Sequence, residues 1–127
     1  GMSGTQPSLI PLYTTRGDAE AFLLYPHLFN RNGEWIGFVT PKREVYSVLG
    51  EYVGMLTNER RIVRKRATST LLPRLTPPPR PQKVYLPATI PLPPMMSELP
   101  HSLIDVLLEM PERLHTLDTG EYRQDLD

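Results

Sequence analysis

The 127-residue sequence contains no cysteine. It therefore has no disulfide, no thiol nucleophile and no thiolate ligand for a metal, which fits a reducing compartment and predicts a cytoplasmic location. No apolar run approaches the roughly 18 residues that a membrane-spanning helix needs. These absences predict a protein that makes no membrane contact.

Sequence motifs for catalysis are also missing. There is no phosphate-binding P-loop and no GxGxxG motif, and His27, His101 and His115 lack the spacing of metal ligands. Glu34 and Glu51 follow turn glycines at equivalent positions of the repeat. Hairpin tips are exposed to solvent, so we interpret these carboxylates as surface polar groups and not as a catalytic pair. We therefore expect no catalytic residue, no metal and no cofactor, and we interpret the chain as a non-enzyme.

The main feature that is present is an internal repeat of an apolar-aromatic pair, three spacer residues and a glycine. Its copies run from Leu12-Tyr13 to Gly17, from Leu28-Phe29 to Gly33, and from Val45-Tyr46 to Gly50. A small and a bulky residue follow each glycine: Ala21-Phe22, Gly37-Phe38 and Gly54-Met55. A fourth copy begins at Ile62-Val63 but has Ala67 in the glycine column. Copies spaced 16 and 17 residues apart each have the length of one hairpin with its connection.

The repeat predicts a mainly β protein. Asn32-Gly33 is a strong signal for a hairpin turn, and Gly37 and Gly54 are expected where another backbone or ring approaches a strand. The predicted strands span residues 10–14, 19–24, 27–30, 34–39, 44–47, 51–56, 61–65 and 68–72. Four hairpins of this kind either surround a pseudo-fourfold centre or close as a small antiparallel barrel.

This pattern resembles the bacterial family of 4-fold beta flower proteins. Leu12-Tyr13 with Gly17, and the pairs Gly37-Phe38 and Gly54-Met55, carry the resemblance. It covers about residues 8–72, with looser agreement in the proline-rich arm and the C-terminal helix. The resemblance implies four hairpins arranged like petals, and it implies no catalytic residue because the family has no established activity. The sequence departs from the pattern at Ala21 and in the fourth copy.

Ten prolines between Pro73 and Pro100 exclude a regular helix and predict polyproline II. We name residues 73–100 the arm. Apolar side chains are interspersed along it, so we expect the arm to lie on a surface. Residues 77–81 also form a PxxP motif of the kind that SH3 and WW grooves accept, but a structural strap is the preferred interpretation.

Residues Ser102 to Met110 are predicted to form a short helix, with Ser102 as its N-cap and Pro111 beyond its end. Its apolar stripe would consist of Leu103, Ile104, Leu107 and Leu108, leaving Asp105 and Glu109 on the other face. That stripe docks either on the chain's own β domain or on a second copy. The predicted organisation is a tag remnant with a flexible terminus (1–7), the repeat domain (8–72), the arm (73–100), the helix (101–112) and an acidic tail (113–127).

Charge is separated along the chain, although the net charge is zero. Residues 60–97 carry eight bases and no acid, whereas residues 98–127 carry eight acids and two bases. The densest basic run includes Arg64, Lys65 and Arg66. It either binds a phosphate backbone or pairs with the acidic tail.

Taken together, these features favour a non-enzymatic interaction or structural module that forms a homo-oligomer or captures a protein partner through its arm and helix. The candidate interaction residues are Arg64, Lys65, Arg66, Leu103, Ile104, Leu107 and Leu108. Two alternatives stay open. One is a nucleic-acid-associated protein that uses the basic segment 60–83, and the other is a small-molecule binder or enzyme with a groove between hairpins, lined by Trp35, Tyr46 or Tyr52.

Overall fold

Eight strands form one antiparallel sheet in a computed structural model that describes residues 9–67 and 72–118. Each strand pairs with the next along the chain. The strands are β1 (Ile10–Tyr13), β2 (Ala19–Leu24), β3 (His27–Phe29), β4 (Trp35–Val39), β5 (Glu44–Ser47), β6 (Tyr52–Leu56), β7 (Ile62–Lys65) and β8 (Leu103–Asp105). A short helix, α1 (Val106–Glu109), and a 3-10 turn (Pro111–Arg113) follow. Within the described ranges, no helix has the length and apolarity needed to cross a bilayer.

The predicted mainly β fold is confirmed, and the bounds of β1 to β7 agree with the predicted strands to within one residue. The sheet curls into a half-barrel around a column with one residue from each repeat. Leu12, Leu28, Val45 and Ile62 form this column, and each is at most 1% exposed. Their shared burial explains why the repeat keeps an aliphatic residue at this position, since each copy contributes one side chain to the same core.

Small residues pair with three members of this column. Leu12 lies opposite Ala21, Leu28 opposite Gly37, and Val45 opposite Gly54. A Cβ atom at Gly37 would overlap the carbonyl oxygen of Tyr46, and one at Gly54 would lie 2.5 Å from the carbonyl oxygen of Val63. The glycines are therefore needed because a neighbouring backbone approaches these strands closely.

Five of the connecting turns share one hydrogen-bonding pattern. In the turn from Asn30 to Glu34, the Asn30 N–H donates to Glu34 O (2.9 Å) and the Gly33 N–H donates to Asn30 O (3.0 Å). The same two bonds close the turns that begin at Thr14, Thr40, Ser47 and Thr57. The side-chain oxygen of each first residue also accepts backbone N–H groups of its own turn. These short polar side chains fix the turn locally, as Asx and ST turns do.

The fourth residue of every such turn has a positive φ. It is Gly17, Gly33 or Gly50 in three turns, but Arg43 (φ 66°) and Arg60 (φ 62°) in the other two. The turn conformation alone therefore admits a side chain. What requires glycine is the arm, because a Cβ atom at Gly33 or Gly50 would overlap a carbonyl oxygen of the arm.

The arm runs past the three glycine turns in reverse order. Leu75 N–H donates to Gly50 O (2.9 Å), and Val84 N–H donates to Gly33 O (3.0 Å). Pro93 then lies beside Gly17, where an added Cβ atom would be 3.4 Å from its Cγ. These contacts are nine residues apart, which equals three turns of polyproline II, or about 28 Å. The arm and the hairpin tips are thus in register with each other.

Burial along the arm has the period of three that polyproline II requires. The half-buried residues that follow this period are Leu75, Pro78, Pro81, Val84, Ile90, Pro93, Met96 and Leu99. The one break in this series is at Pro87, which is exposed while its neighbour Leu86 is half-buried. Most of the intervening residues are exposed, and Tyr85, Leu92 and Met95 are at least 90% exposed. One face of the arm therefore lies against the hairpins and another faces outward.

The C-terminal helix is shorter than predicted. Leu103–Asp105 form strand β8, which pairs with β7 (Val63 opposite Asp105), and α1 begins only at Val106. Ser102 is not the N-cap, because the Asp105 carboxylate accepts the Leu108 N–H (3.3 Å). The free edge of β7 needs a hydrogen-bonding partner, and this tertiary demand outweighs the local helical signal. The predicted strand 68–72 lies, apart from Leu72, outside the described residues.

The predicted apolar stripe was also wrong in part. Asp105, expected on the outer face, is 2% exposed, and the buried Val106 was not assigned to the stripe. Leu107 is buried in the core, whereas Leu103, Ile104 and Leu108 are half-buried. The helical spacing assumed for residues 103–105 does not apply to a strand, in which neighbouring side chains alternate between faces.

Polar bonds close the seam between β1 and β7. Tyr13 N–H donates to Arg60 O (2.8 Å), and the N–H and Oγ1 of Thr15 both donate to the Asp105 carboxylate (2.6 Å each). Arg61, only 1% exposed, donates to Thr15 Oγ1 (3.0 Å) and to Glu59 Oε1 (2.7 Å). Two buried residues, Arg61 and Asp105, thus share the Thr15 hydroxyl, and Glu59 forms the ion pair that offsets part of the desolvation of Arg61.

The arm joins this seam through Glu59. Its other carboxylate oxygen accepts Ser97 N–H (3.0 Å) and Ser97 Oγ–H (3.3 Å). The bond from the Ser97 backbone is the largest cause of a lowered pKa for Glu59, and Arg61 lowers this pKa further. The carboxylate form of Glu59 is therefore the form that fastens the end of the arm.

Alanine at Gly33 is expected to destabilise the fold more than alanine at Gly17. Both substitutions place a side chain at a positive φ, which costs about 1–2 kcal/mol, but only the Cβ atom at position 33 overlaps the arm backbone. We expect G33A to lower the unfolding free energy by at least about 1 kcal/mol more than G17A, because its clash also breaks the bond to Val84 N–H. Urea unfolding followed by the fluorescence of Trp35, the single tryptophan, measures both. Equal losses of unfolding free energy in the two variants would show that the arm backbone does not contact the turn closely.

Glu59 predicts a pH dependence of stability. Because its pKa is lowered from 4.5 in the folded state, its contribution is present above pH 4.5 and disappears as the pH falls through the folded value. E59Q should be less stable than the wild type at pH 7, and the gap should close on acidification. Unfolding free energies of both proteins between pH 7 and 3 test this. A gap that does not change with pH would contradict it.

Candidate interaction groove

The outer faces of the first three hairpins are covered by the chain itself. Tyr13 donates its hydroxyl hydrogen to Pro91 O (2.7 Å) under the arm. Phe29 belongs to a small apolar cluster, against which Val84 of the arm and Leu117 pack. Tyr46 stacks on Phe38, with ring centroids 5.5 Å apart and planes at 16°. The aromatic column of the repeat is thus filled or covered in these three units.

The fourth unit differs because it has Val63 in that column. Val63 lies in an open groove of about 520 Å³ between the third and fourth hairpins, which we name the interaction groove. Its lining residues are Tyr52, Met55, Val63, Arg64, Lys65, Leu72 and Leu103. Met55 and Leu72 are 38% and 37% exposed, so apolar surface is accessible there. The volume is within the range of ligand pockets.

Two bases lie among the lining residues. The Arg64 guanidinium is 5.9 Å from the centre of the Tyr52 ring, and Arg64 also donates weakly to Val53 O (3.5 Å). Lys65 is exposed. None of the described lining residues is acidic. The Glu44 carboxylate lies nearby, because Glu44 is opposite Met55 in the sheet, and it accepts the hydroxyl hydrogen of Tyr46 (3.4 Å). The groove therefore combines an apolar floor with positive charge.

Burial raises the pKa of Tyr52, and Glu44 also raises it, whereas Arg64 opposes the shift. Burial likewise raises the pKa of Tyr46, again with a contribution from Glu44. Both phenols are therefore neutral at pH 7 and add no negative charge beside the groove.

The other members of the basic run have different surroundings. Arg61 is buried in the seam, and Arg60 occupies a turn with positive φ. Arg66 donates to His101 O (2.8 Å) and lies 4.0 Å from a Glu109 oxygen. Of the predicted interaction residues, the structure brings Arg64, Lys65 and Leu103 to the groove. It does not bring Arg66, Ile104, Leu107 or Leu108 there.

The three histidines make separate contacts. His27 lies edge-on to Phe29 and Trp35, with ring centroids 6.3 and 6.0 Å apart, and burial lowers its pKa. The His101 carbonyl accepts from Arg66, and His115 Nδ1 lies 2.9 Å from Thr116 O. In the part of the chain that is described, histidines and carboxylates do not form a group of three that could hold a metal.

Met55, Val63 and Leu72 were missed as site residues, although the repeat contains the signal for two of them. Met55 stands in the column of Phe22 and Phe38, and Val63 stands in the column of the first-strand aromatics. Non-aromatic side chains on neighbouring strands thus replace two of the aromatic residues of the repeat. Since Met55 lies opposite Val63 in the sheet, both replacements open the same place.

Comparison with known families gives one match. The model described as 4-fold beta flower protein matches residues 10–102, which include strands β1 to β7 and the whole arm. This range extends beyond the 8–72 on which the resemblance rested and ends just before β8. Neither the curated proteins nor the solved structures contain a match to the chain.

Proposed function

The chain belongs to the 4-fold beta flower family, and on that premise we propose that it is a non-enzymatic protein-interaction module whose interaction groove binds apolar side chains of a partner. The observation that carries the proposal is the accessible apolar floor between the third and fourth hairpins. Apolar surface exposed within a concave, polar-rimmed site is typical of binding sites.

The lining chemistry favours binding over catalysis. Among the described lining residues, Arg64 and Lys65 carry charge, and the raised pKa of Tyr52 makes its phenol unsuited to act as a general base at neutral pH. The remaining lining residues are aliphatic or thioether side chains. Such a lining recognises shape and charge.

Nucleic-acid binding is less well supported. A phosphate backbone requires several cations on one exposed face. Arg61 is buried, and Arg66 is engaged with His101 and Glu109, so the basic run is divided between the interior and the surface. The absence of cysteine fits a reducing compartment, and we propose a cytoplasmic location.

The arm and the helix are less favourable partner surfaces than the groove. Leu75 and Val84 bond to the hairpin tips of the same chain, and Leu107 is in its core. The outward residues Tyr85, Leu92 and Met95 are almost fully exposed and are separated from one another along the arm. They provide a control surface of comparable apolarity.

Selection from a random peptide library displayed on phage tests the proposal. We expect enriched peptides to bind the wild type and to lose at least about tenfold in affinity, or about 1.4 kcal/mol, when M55S and L72S are combined. L92S is the matched control, because it removes an exposed leucine outside the groove. Circular dichroism and unfolding curves show that each variant is folded.

Three results would contradict the proposal. The first is that no peptide depends on Met55 and Leu72. The second is that L92S abolishes binding as strongly, which would place the surface on the arm. The third is that a metabolite stabilises the wild type in a thermal-shift screen when no peptide binds, which would favour a small-molecule site.

A further inference from the structure

The charge of the interaction groove and a second contact within the same chain indicate the kind of partner. Resting on the proposed function, we infer that the groove binds an acidic peptide segment in which a leucine is followed by aspartate or glutamate. The inference uses two features: the bases beside the groove, and a leucine-aspartate pair already docked on the second hairpin.

The docked pair is Leu117-Asp118. Leu117 packs against the cluster of Phe29, Trp35 and Val48 on the outer face of the second hairpin. Asp118 lines a small cavity of about 110 Å³ together with Arg80 and Lys83 of the arm and with Glu34. An apolar side chain thus covers the hairpin face, while the acidic residue that follows it lines a cavity shared with two bases and one acid.

The interaction groove repeats this arrangement one hairpin further on. Val63 and Met55 form an apolar floor, as Phe29 and Trp35 do on the second hairpin. Arg64 and Lys65 line the groove beside that floor, as Arg80 and Lys83 line the cavity that contains Asp118. Leu117 covers the apolar surface of the second hairpin, whereas Met55 on the floor of the interaction groove is 38% exposed. The groove therefore has the shape and charge for the same two-residue unit from another chain.

Charge complementarity favours an acidic segment over a neutral one. The described lining residues include two bases and no acid, so a carboxylate gains attraction there, whereas a basic peptide is repelled. Lys65 is exposed, so its attraction is screened by salt and acts mainly on affinity at low ionic strength.

The probe is a fluorescein-labelled, capped heptapeptide, Glu-Leu-Asp-Glu-Leu-Asp-Glu, titrated with the full chain by fluorescence anisotropy. Two control peptides separate the features: one has glutamine and asparagine at the acidic positions, and the other has serine in place of leucine. We expect each control to bind at least about tenfold more weakly. Raising the salt from about 50 mM to about 500 mM should weaken the acidic peptide most.

Two charge-reversal variants test whether the bases of the groove attract the acidic peptide. K65E should weaken the acidic peptide about threefold or more, whereas K42E, the same change at an exposed residue in the β4–β5 turn, should leave it unchanged. Arg64 is left intact because it packs on Tyr52. Unfolding curves of both variants establish that they are equally folded.

The outcomes separate this inference from the proposed function. Equal binding of the acidic and neutral leucine peptides would overturn the inference, while loss of both in the M55S and L72S variant would keep the groove as a binding site. Binding of none of the three peptides overturns the inference, and the library selection then decides the proposed function. A gain in affinity on L126S would assign the groove to the chain's own Asp125-Leu126-Asp127 sequence and overturn the assignment to a partner.

Discussion

The buried guanidinium of Arg61 is the interaction on which closure of the sheet depends. A meander has two free edges, and β1 and β8 have no ladder between them. Arg61 donates to Thr15 beyond β1 and to Glu59 before β7, while Asp105 of β8 binds Thr15 from the other side. A buried cation without these partners would cost several kcal/mol. The return of the chain to β8 completes the seam, because Asp105 then accepts both hydrogen bonds of Thr15.

The return of the chain to β8 explains why the arm and the repeat glycines depend on each other. The chain leaves β7 and reaches β8 by way of the hairpin tips, where Leu75 and Val84 bond to Gly50 and Gly33. Glycine at these tips leaves space for the arm backbone, whereas the equivalent positions of two other turns carry Arg43 and Arg60. The arm is thus a structural part of the fold, and the family match through residue 102 includes it.

The local parts of the fold could be predicted from the sequence, and the long-range parts could not. Turn glycines and apolar alternation are encoded within a few residues, so β1 to β7 were found to within one residue. Strand β8 could not be found, because its pairing depends on the free edge of β7, some 40 residues earlier in the chain. The groove could be predicted in part. Arg64, Lys65 and Leu103 were candidate interaction residues, and Met55 and Val63 interrupt the aromatic columns of the repeat. Only the register of β6 and β7 shows that Met55 and Val63 lie side by side.

If the arm is integral to the half-barrel, it should open only when the whole domain unfolds. Native-state hydrogen exchange measures this directly, because Leu75 N–H and Val84 N–H bond to hairpin tips while Tyr13 N–H bonds across the seam. We expect the opening free energies of the two arm amides to lie within about 1 kcal/mol of that of Tyr13 and of global unfolding. Arm amides that exchange through openings several kcal/mol less costly, with Tyr13 still protected, would contradict an integral arm.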